Sequence, residues 1–263
     1  MMKVTFLGTG TSQGIPVIGC ACEVCQSSDS RDKRLRTSVM IETKGKIIVI
    51  DTGPDFRQQM LREQVYHDLD KFCVDAVLFT HEHKDHIAGL DDVRPFNFRF
   101  RRDMQVYATT HVQEALMREY QYVFTPPFYP GAPLIQLNTI PEDEKFTIEG
   151  IDIQPIQIMH GTLPILGFRF GDFTYLTDVK TIFPQEKEKI YGTKTLVLSA
   201  LRKEEHHSHL TLEEALALVE EFQPKQTYFI HMSHLLGKHE DINDKLPKNV
   251  QLAYDGLKII LNE

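Results

Sequence analysis

Short runs of apolar, β-branched residues recur along the chain, and each run has the length of a β-strand. Polar residues, glycine or proline bound these runs, as expected where strands end in turns. The pattern predicts strands over residues 3–7, 38–42, 46–50, 76–80, 105–108, 151–159, 165–170, 174–177, 195–199, 227–230 and 257–261. The protein is therefore expected to be rich in β-structure.

Three segments carry apolar residues at helical spacing, namely residues 54–66, 111–124 and 211–222. Thr211 is followed three residues later by Glu214, which is typical of a capping box at the start of a helix. Few helices among many strands favour an α/β (α+β) fold, in which a sandwich of β-sheets is covered by helices. No linker rich in proline, glycine or serine interrupts the sequence, so we expect one domain over residues 1–263.

The composition is that of an ordinary globular protein. Of the 263 residues, 41% are hydrophobic and 25% are charged, which excludes a disordered chain and a small disulfide scaffold. The formal net charge of −8 argues against bulk binding of nucleic acid, which usually requires a basic surface. The N-terminal segment lacks a signal-peptide pattern, and no run approaches the roughly 20 apolar residues of a membrane span. We therefore expect a cytoplasmic protein without a membrane partner.

Histidine departs from this ordinary picture. The chain has 12 histidines, and nine of them lie in four short stretches. The stretches contain His81, His83 and His86; His160; His206, His207 and His209; and His231 and His234. Four predicted strands run directly into a metal-binding side chain: His81, His160, Asp178 and His231. Such clustering at strand ends favours a metal site, because loops held by a rigid scaffold are where sites are built.

The segment THEHKDHIAG, residues 80–89, carries the strongest signal in the chain. His81 and His83 are two residues apart in an extended segment, so their rings point the same way. Asp85 and His86 follow at the expected start of a helix. Three imidazoles and one carboxylate within six residues do not all face one ion comfortably, so the spacing favours two neighbouring metals. The alternative is a polar surface loop that is rich in histidine.

The H-x-H-x-D-H pattern of this segment resembles the signature of the metallo-β-lactamase fold superfamily. Later residues match the remaining ligands of that superfamily in order and context, and the resemblance implies an αββα sandwich with metals at one edge. It also implies a ligand set: His81, His83 and His160 for one metal, and Asp85, His86 and His231 for the other. Asp178, together with a hydroxide, would bridge the two metals.

A C-x-C-x2-C cluster of Cys20, Cys22 and Cys25 supplies three thiolates within the loop of residues 19–26. In a reducing compartment such a cluster favours a metal site over a disulfide framework. A closed structural zinc site needs four ligands, and His234 is the natural fourth. The alternative is a set of three buried free thiols.

Several other residues carry secondary expectations. Residues 8–12, GTGTS, follow the first predicted strand, and their N–H groups either face an anion or form a tight turn. Asp51 ends a strand and either accepts a hydrogen bond from a ligand histidine or caps a helix.

His209 lies in an H-L-T motif that resembles the motif of tRNA 3′-processing endonucleases, where the histidine serves the phosphodiester. His206 is expected to share this role, and His207 is expected to be exposed and inert.

The cysteine loop, taken with the H-x2-H pattern at residues 231–234, resembles the phosphoribosyl 1,2-cyclic phosphate phosphodiesterase family of the carbon–phosphorus lyase pathway. The resemblance implies a homodimeric metal-dependent phosphodiesterase with two active-site divalent ions, Zn or Mn, and one structural Zn. The expected substrate is a small cyclic phosphate or a nucleotide-like phosphodiester. Asp85 is expected to hold its metal and orient the nucleophile, and His209 to stabilise charge or protonate the leaving oxygen.

Three other functions on the same fold stay open. A tRNA 3′-processing endonuclease usually carries a protruding arm, and no long basic insertion rich in glycine and proline occurs here. A thioester or lactone hydrolase is disfavoured by the H-L-T motif. A non-catalytic accessory protein of cofactor biosynthesis, as in the pyrroloquinoline quinone branch, shares the cysteine-loop character. The complete set of seven ligand positions favours an active enzyme.

Overall fold

The computed structural model describes residues 1–262, and these form two seven-stranded β-sheets packed face to face. The first sheet contains β1 (Met2–Gly8), β2 (Ser38–Thr43), β3 (Lys46–Ile50), β4 (Ala76–Leu78), β5 (Met104–Ala108), β6 (Ile135–Thr139) and β14 (Lys258–Leu261). The second contains β7 (Phe146–Ile148), β8 (Ile151–His160), β9 (Leu163–Phe170), β10 (Phe173–Leu176), β11 (Thr195–Ser199), β12 (Gln226–Ile230) and β13 (Val250–Leu252). Their spatial orders are β14-β1-β2-β3-β4-β5-β6 and β13-β12-β11-β10-β9-β8-β7.

Helices cover the outer faces of both sheets. They are α1 (Phe56–Glu63), α2 (Lys84–Ile87), α3 (Arg94–Phe100), α4 (Thr110–Glu119), α5 (Gln121–Phe124), α6 (Pro184–Lys187), α7 (Leu212–Phe222) and α8 (His239–Asn243), with short 3-10 helices at Ser30–Asp32, Gln64–Tyr66 and Leu90–Val93. Phe56 and Val112 pack on the outside of the first sheet, and Ala215 and Phe222 on the outside of the second. This αββα arrangement confirms the predicted fold class. Within residues 1–262, no helix has the length and apolarity to cross a membrane.

The strands β1 to β4 of the first sheet are largely buried on both faces, which explains their nearly continuous apolar sequence. Successive side chains of a strand point to opposite faces of the sheet. On β2, Val39 and Ile41 join the core between the two sheets, while Met40 joins the outer core beneath α1 and α4. Phe168 and Tyr175 of the second sheet complete the inner core and are fully buried.

Each sheet changes from antiparallel to parallel pairing across its width. The strands β3 to β6 are parallel, and so are β10 to β13. Parallel strands end at the same edge of a sheet, so the segments that follow them are brought together there. The segments after β4, β10 and β12 are those with the predicted metal ligands, and this edge of the sandwich carries the candidate site.

All eleven predicted strands are present, with small shifts at their ends. The predicted strand 76–80 ends early because the Thr80 N–H donates to the Asp51 side chain. The strands that sequence reasoning missed are β6, β7 and β13, which all lie at sheet edges and are short or partly exposed. The predicted helix 111–124 is broken at Tyr120 into α4 and α5. The capping box of α7 at Thr211 is confirmed.

Candidate metal centre and cysteine site

Several side chains of the candidate metal centre lie at the ends of β-strands. His160 is the last residue of β8, and Asp178 and His231 follow β10 and β12 closely. Three non-glycine residues here have left-handed backbone conformations: Asp51 at φ 63°, Asp178 at φ 57° and His231 at φ 57°. This conformation is uncommon for residues with a Cβ and is concentrated at functional sites. At each of the three positions the chain turns sharply as it leaves a strand, which places the side chain in the site.

The first group of candidate ligands consists of His81, His83 and His160, whose ligand atoms all lie within 4.8 Å of one another. The ring centroids of His81 and His83 are 4.6 Å apart, and those of His83 and His160 are 5.1 Å apart. The spacing of His81 and His83 in sequence therefore does place their rings on the same side of the chain. The second group consists of Asp85, His86 and His231, again within 4.8 Å.

Asp178 lies between the two groups. Its Oδ1 is 3.0 Å from Nε2 of His231, and its Oδ2 is 3.3 Å from Nε2 of His86. The carboxylate also falls within 4.8 Å of a His81 ring nitrogen. One fully buried carboxylate thus reaches donors of both groups, as a bridging ligand must.

Hydrogen bonds fix which ring nitrogen three of the histidines present to the centre. The Thr80 hydroxyl donates its one hydrogen to Asp51, at 2.8 Å, so Nδ1–H of His81 donates to Thr80 Oγ1 at 3.0 Å. Nδ1 of His86 lies 2.7 Å from Asp51 Oδ2, and Nδ1 of His160 lies 2.9 Å from the Ser208 carbonyl oxygen. Each ring therefore turns Nε2 toward the centre, and neighbours of this kind orient metal-binding histidines.

The donor atoms fit divalent metal ions. Among the described residues, Nε2 of His81, His86 and His231 is buried and makes no well-oriented hydrogen bond, although Asp178 oxygens lie close to the last two. A bound cation would relieve this costly state. Burial lowers the pKa of His81 well below its ordinary value, which favours the neutral imidazole that binds metal. Burial opposes ionisation of Asp178, but the imidazoles of His231 and His86 hold its pKa well below the ordinary value. Imidazole nitrogens and carboxylate oxygens suit Zn and Mn.

His209 lies against both groups. Its ring stacks on His231 at a centroid distance of 4.9 Å, and its Nδ1 lies 3.7 Å from Asp178 Oδ1. Burial lowers the pKa of His209 to about 2. His206 is half-buried, with its ring centroid 5.0 Å from that of His209, while His207 is exposed. The structure thus places His209 beside the metal donors and His206 one step further out.

Cys20, Cys22 and Cys25 surround Nδ1 of His234 in a separate cluster. Their sulfur atoms lie 3.4, 3.3 and 3.7 Å from that nitrogen, and all four ligand atoms are within 4.8 Å of one another. Hydrogen bonds lower the pKa of Cys22 to about 6, which favours its thiolate. The stronger effect comes from the Cys25 backbone N–H, and the second from the His234 ring. Burial raises the pKa of Cys25 to about 11. Three sulfurs and one imidazole nitrogen match a tetrahedral structural zinc site.

The sequence leaves two interpretations of residues 8–12, an anion-facing segment and a tight turn, and the structure opposes the first, because Gly10 forms β-bridges to Arg36 and Met232. The Gly10 N–H donates to the Leu35 carbonyl at 2.8 Å, and the Thr11 N–H donates to the Met232 carbonyl at 3.0 Å. Both amides therefore already donate hydrogen bonds within the chain.

The contact between His160 and the Ser208 carbonyl oxygen was not predicted, because a backbone carbonyl leaves no signal in the sequence.

A sandwich of this kind, with two His/Asp groups converging at its strand ends, defines the class of metallo-β-lactamase fold proteins. The chain belongs to the β-lactamase superfamily, since the family model described as "Beta-lactamase superfamily domain" matches residues 46–232. A solved structure described as a new diphosphatase from the PhnP family is 39% identical, with a TM-score of 0.91, over 100% of this chain and 98% of that one. These matches support a hydrolase.

Two further relatives extend the comparison. An octanoyltransferase of Porphyromonas gingivalis is 41% identical over 264 residues, which is 100% of this chain and 52% of the relative. This chain therefore spans about half the length of that curated relative. Zn²⁺-bound PqqB from Methylobacterium extorquens is 19% identical, with a TM-score of 0.79, over 98% of this chain and 100% of that one. At this identity the likeness concerns the fold alone.

Proposed function

We propose that this protein is a metal-dependent phosphodiesterase with two divalent ions in its active site. The position of Asp178 carries the proposal, because its two carboxylate oxygens approach a histidine of the Asp85/His86/His231 group and the same side chain reaches His81. A single carboxylate shared by two groups of three donors suits a pair of adjacent ions. In two-metal hydrolases such ions lie roughly 3.5–4 Å apart.

Each candidate group would hold one ion, and Asp178 would contact both. Bound there, divalent ions supply the Lewis acidity, the activated water and the positive charge that phosphoryl transfer requires. The net charge of −8 does not oppose an anionic substrate, since two such ions add four positive charges at the site itself. Burial lowers the pKa of His86, but the surrounding carboxylates, with Asp85 foremost, raise it well above its ordinary value. These carboxylates attract positive charge, and a metal ion would supply that charge in place of the proton on His86.

Side chains of the protein position the reacting groups. Asp85 lies 3.3 Å from His86 Nε2 and 3.6 Å from His231 Nε2, so it completes the second group, and its proposed role is to hold that ion and orient the nucleophile. His209 packs between His160 and His231, and the N–H of its neutral ring would donate a hydrogen bond that stabilises charge on the phosphate or the leaving oxygen. His206 lines the approach to His209.

The substrate class we propose is a small cyclic phosphate or a nucleotide-like phosphodiester. The resemblance of the cysteine loop to phosphoribosyl 1,2-cyclic phosphate phosphodiesterases supports this class, and so does the 39% identity to a diphosphatase of the PhnP family. On the same resemblance we propose a cytoplasmic homodimer organised as one domain.

We further propose that Cys20, Cys22, Cys25 and His234 hold a structural zinc. This site ties the N-terminal cysteine loop to the segment that also carries His231. A zinc ion bound here would restrain His231 indirectly, since His234 lies three residues further along the same loop.

A substrate panel tests the function. The metal-reconstituted protein is assayed with bis-p-nitrophenyl phosphate, a five-membered cyclic sugar phosphate, 2′,3′-cyclic nucleotides, a precursor tRNA, octanoyl thioesters and a lactone. We expect metal-dependent hydrolysis of the small phosphodiesters and none of the acyl compounds. Turnover confined to the thioesters or the lactone would favour the acyl hydrolase instead, and cleavage of precursor tRNA alone would favour the endonuclease.

A further inference from the structure

The hydroxyl of Thr177 donates a hydrogen bond to Oδ2 of Asp178 at 2.6 Å. The direction of this bond is fixed, because an ionised carboxylate only accepts hydrogen bonds. Thr177 directly follows β10, and both side chains are buried, with 0% exposure for Thr177 and 2% for Asp178. The function proposed above uses the carboxylate of Asp178 and assigns no task to the neighbouring threonine.

The Asp178 carboxylate needs a contact of this kind to keep one orientation. The last torsion of an aspartate side chain has broad minima, so the carboxylate rotates easily unless a neighbour holds it. A carboxylate that is shared by two groups of ligands must keep both groups within reach, which limits the rotation it is allowed. A hydrogen bond to one of its two oxygens restricts the rotation in this way.

Thr177 differs from the other partners of this carboxylate. Among residues 1–262, the other side chains that form hydrogen bonds or ion pairs with it are the histidines His86, His209 and His231. His86 and His231 are candidate ligands, and each would direct its Nε2 to a metal ion. The Thr177 hydroxyl lies outside the candidate ligand set. Its bond to Asp178 is therefore the contact that stays available when metal ions are bound.

The backbone on either side keeps the Thr177 hydroxyl in place. Leu176, just before it, pairs with Leu198 of the parallel strand β11. Two residues after it, the Val179 N–H donates to the buried Ser199 hydroxyl at 3.1 Å. The side chain of threonine is also branched at Cβ, which restricts its rotamers. The hydrogen-bond donor is therefore anchored to the second sheet.

We propose that Thr177 is a positioning residue of the metal centre, whose hydroxyl holds the Asp178 carboxylate in the orientation that serves both groups of ligands. The proposal rests on the two-ion site proposed above and adds a residue from outside the candidate ligands. Without this hydroxyl the carboxylate rotates toward one group, and the ion at the other group loses its shared ligand. The result is weaker binding of one ion and weaker coupling between the two ions.

Manganese binding to four variants tests this role. Thr177→Val and Thr177→Ala remove the hydroxyl, and Thr177→Ser keeps it. Thr174→Val is the matched control, because Thr174 is an equally buried residue of β10 whose hydroxyl pairs with the Thr193 hydroxyl at 2.9 Å. Mn²⁺ is the probe, since it suits carboxylate ligands, whereas thiolates select zinc.

We expect calorimetric titration to show that Thr177→Val and Thr177→Ala bind the weaker of the two Mn²⁺ ions about 10–100-fold less tightly, the usual effect of removing a hydrogen-bond partner of a metal ligand. Thr177→Ser and Thr174→Val should bind both ions as the wild type does. Electron paramagnetic resonance gives a second readout without any assay of activity, because two Mn²⁺ ions that share a carboxylate have an exchange-coupled spectrum. This spectrum should weaken in the two variants without the Thr177 hydroxyl.

Wild-type Mn²⁺ affinity in Thr177→Val would overturn the positioning role, and Thr177→Ala gives the same comparison if Thr177→Val does not fold. An equal loss in Thr177→Ser would assign the effect to the methyl group, and an equal loss in Thr174→Val would assign it to the strand. Either result would overturn the role of the hydroxyl.

The proposed function is tested separately on the same Mn²⁺-loaded proteins. A wild type that binds two Mn²⁺ ions without hydrolysing bis-p-nitrophenyl phosphate would refute the phosphodiesterase, while the titrations would still decide the role of Thr177. A wild type that binds a single Mn²⁺ ion would refute the two-ion centre and, with it, the role proposed for Thr177.

Discussion

Oδ2 of Asp51 lies 2.7 Å from Nδ1 of His86, and both side chains are completely buried. The Thr80 N–H and hydroxyl donate to the same carboxylate at 2.9 and 2.8 Å. Asp51 is therefore held by two hydrogen bonds from Thr80 and in turn holds the His86 ring with Nε2 toward Asp85 and Asp178. This relationship makes Asp51 a positioning residue for the metal centre, although it is not itself among the candidate ligands.

Replacement of Asp51 tests that role. We expect Asp51→Asn to weaken metal binding at the second group by about 10–100-fold, the usual effect of removing a hydrogen-bond partner of a metal-binding histidine. Metal titration followed by calorimetry measures it, and excess metal should restore most of the activity. Asp75→Asn is the matched control, because Asp75 also accepts a backbone N–H but pairs with Lys46 and Arg102 instead. Equal affinities in the two variants would argue against the positioning role.

The candidate ligands themselves give the second prediction. We expect Asp85→Ala and His83→Ala each to reduce hydrolysis of bis-p-nitrophenyl phosphate by about 10²-fold or more, because each removes a group that would hold an ion at the reacting phosphate. Circular dichroism should show a retained fold. His207→Ala serves as the control, since that ring is exposed and belongs to neither group. Wild-type turnover in either ligand variant would refute the assignment.

The third prediction concerns the cysteine site. Metal analysis of the reconstituted protein should find up to three metals per chain, and Cys22→Ser should lose one zinc and lower the melting temperature. The loss follows because a closed zinc site needs all four ligands. Cys73→Ser controls for the removal of a thiol elsewhere and should keep the full zinc content. Unchanged zinc and melting temperature in Cys22→Ser would show that the three thiols are free.

His209 supports a prediction that depends on the leaving group. If the N–H of its neutral ring stabilises the leaving oxygen, His209→Ala should slow hydrolysis of a cyclic nucleotide by about 10²–10³-fold. The loss should be smaller with bis-p-nitrophenyl phosphate, because p-nitrophenolate departs without a proton. The metal content of the variant is measured in parallel. A variant that loses a metal ion would instead identify His209 as a ligand, as its closeness to Asp178 and His160 permits.

Close backbone packing behind Asp85 gives the last prediction. A Cβ added at Gly53 would lie 2.1 Å from the Asp85 carbonyl oxygen, so the ligand segment would have to move. We expect Gly53→Ala to destabilise the protein by about 1–3 kcal/mol, the usual cost of overpacking, and to lower metal affinity as well. Chemical denaturation and metal titration measure the two effects. An unchanged stability would show that the segment relaxes freely.

Much of the fold followed from local patterns. The eleven predicted strands and the capped helix at Thr211 are present because alternation, run length and capping are properties of neighbouring residues. The edge strands β6, β7 and β13 escaped prediction because no residue of β6 is fully buried and β7 and β13 have only three residues each. The break at Tyr120 was also missed. Its hydroxyl donates to the Ile87 carbonyl at 2.7 Å, a contact with a distant segment that no local pattern records.

In the candidate site, too, some features follow from local sequence and others from contacts between distant segments. The donor types and the spacing of His81, His83 and His86 follow from the amino-acid order alone, because residues so close in the chain share one local geometry. Tertiary contacts were needed for Asp51 to orient His86 across 35 residues and for Ser208 to orient His160 across 48. These features depend on contacts between strand ends of both sheets. Such contacts are set by the packing of the whole sandwich, which is stabilised collectively by its buried cores rather than by any one segment.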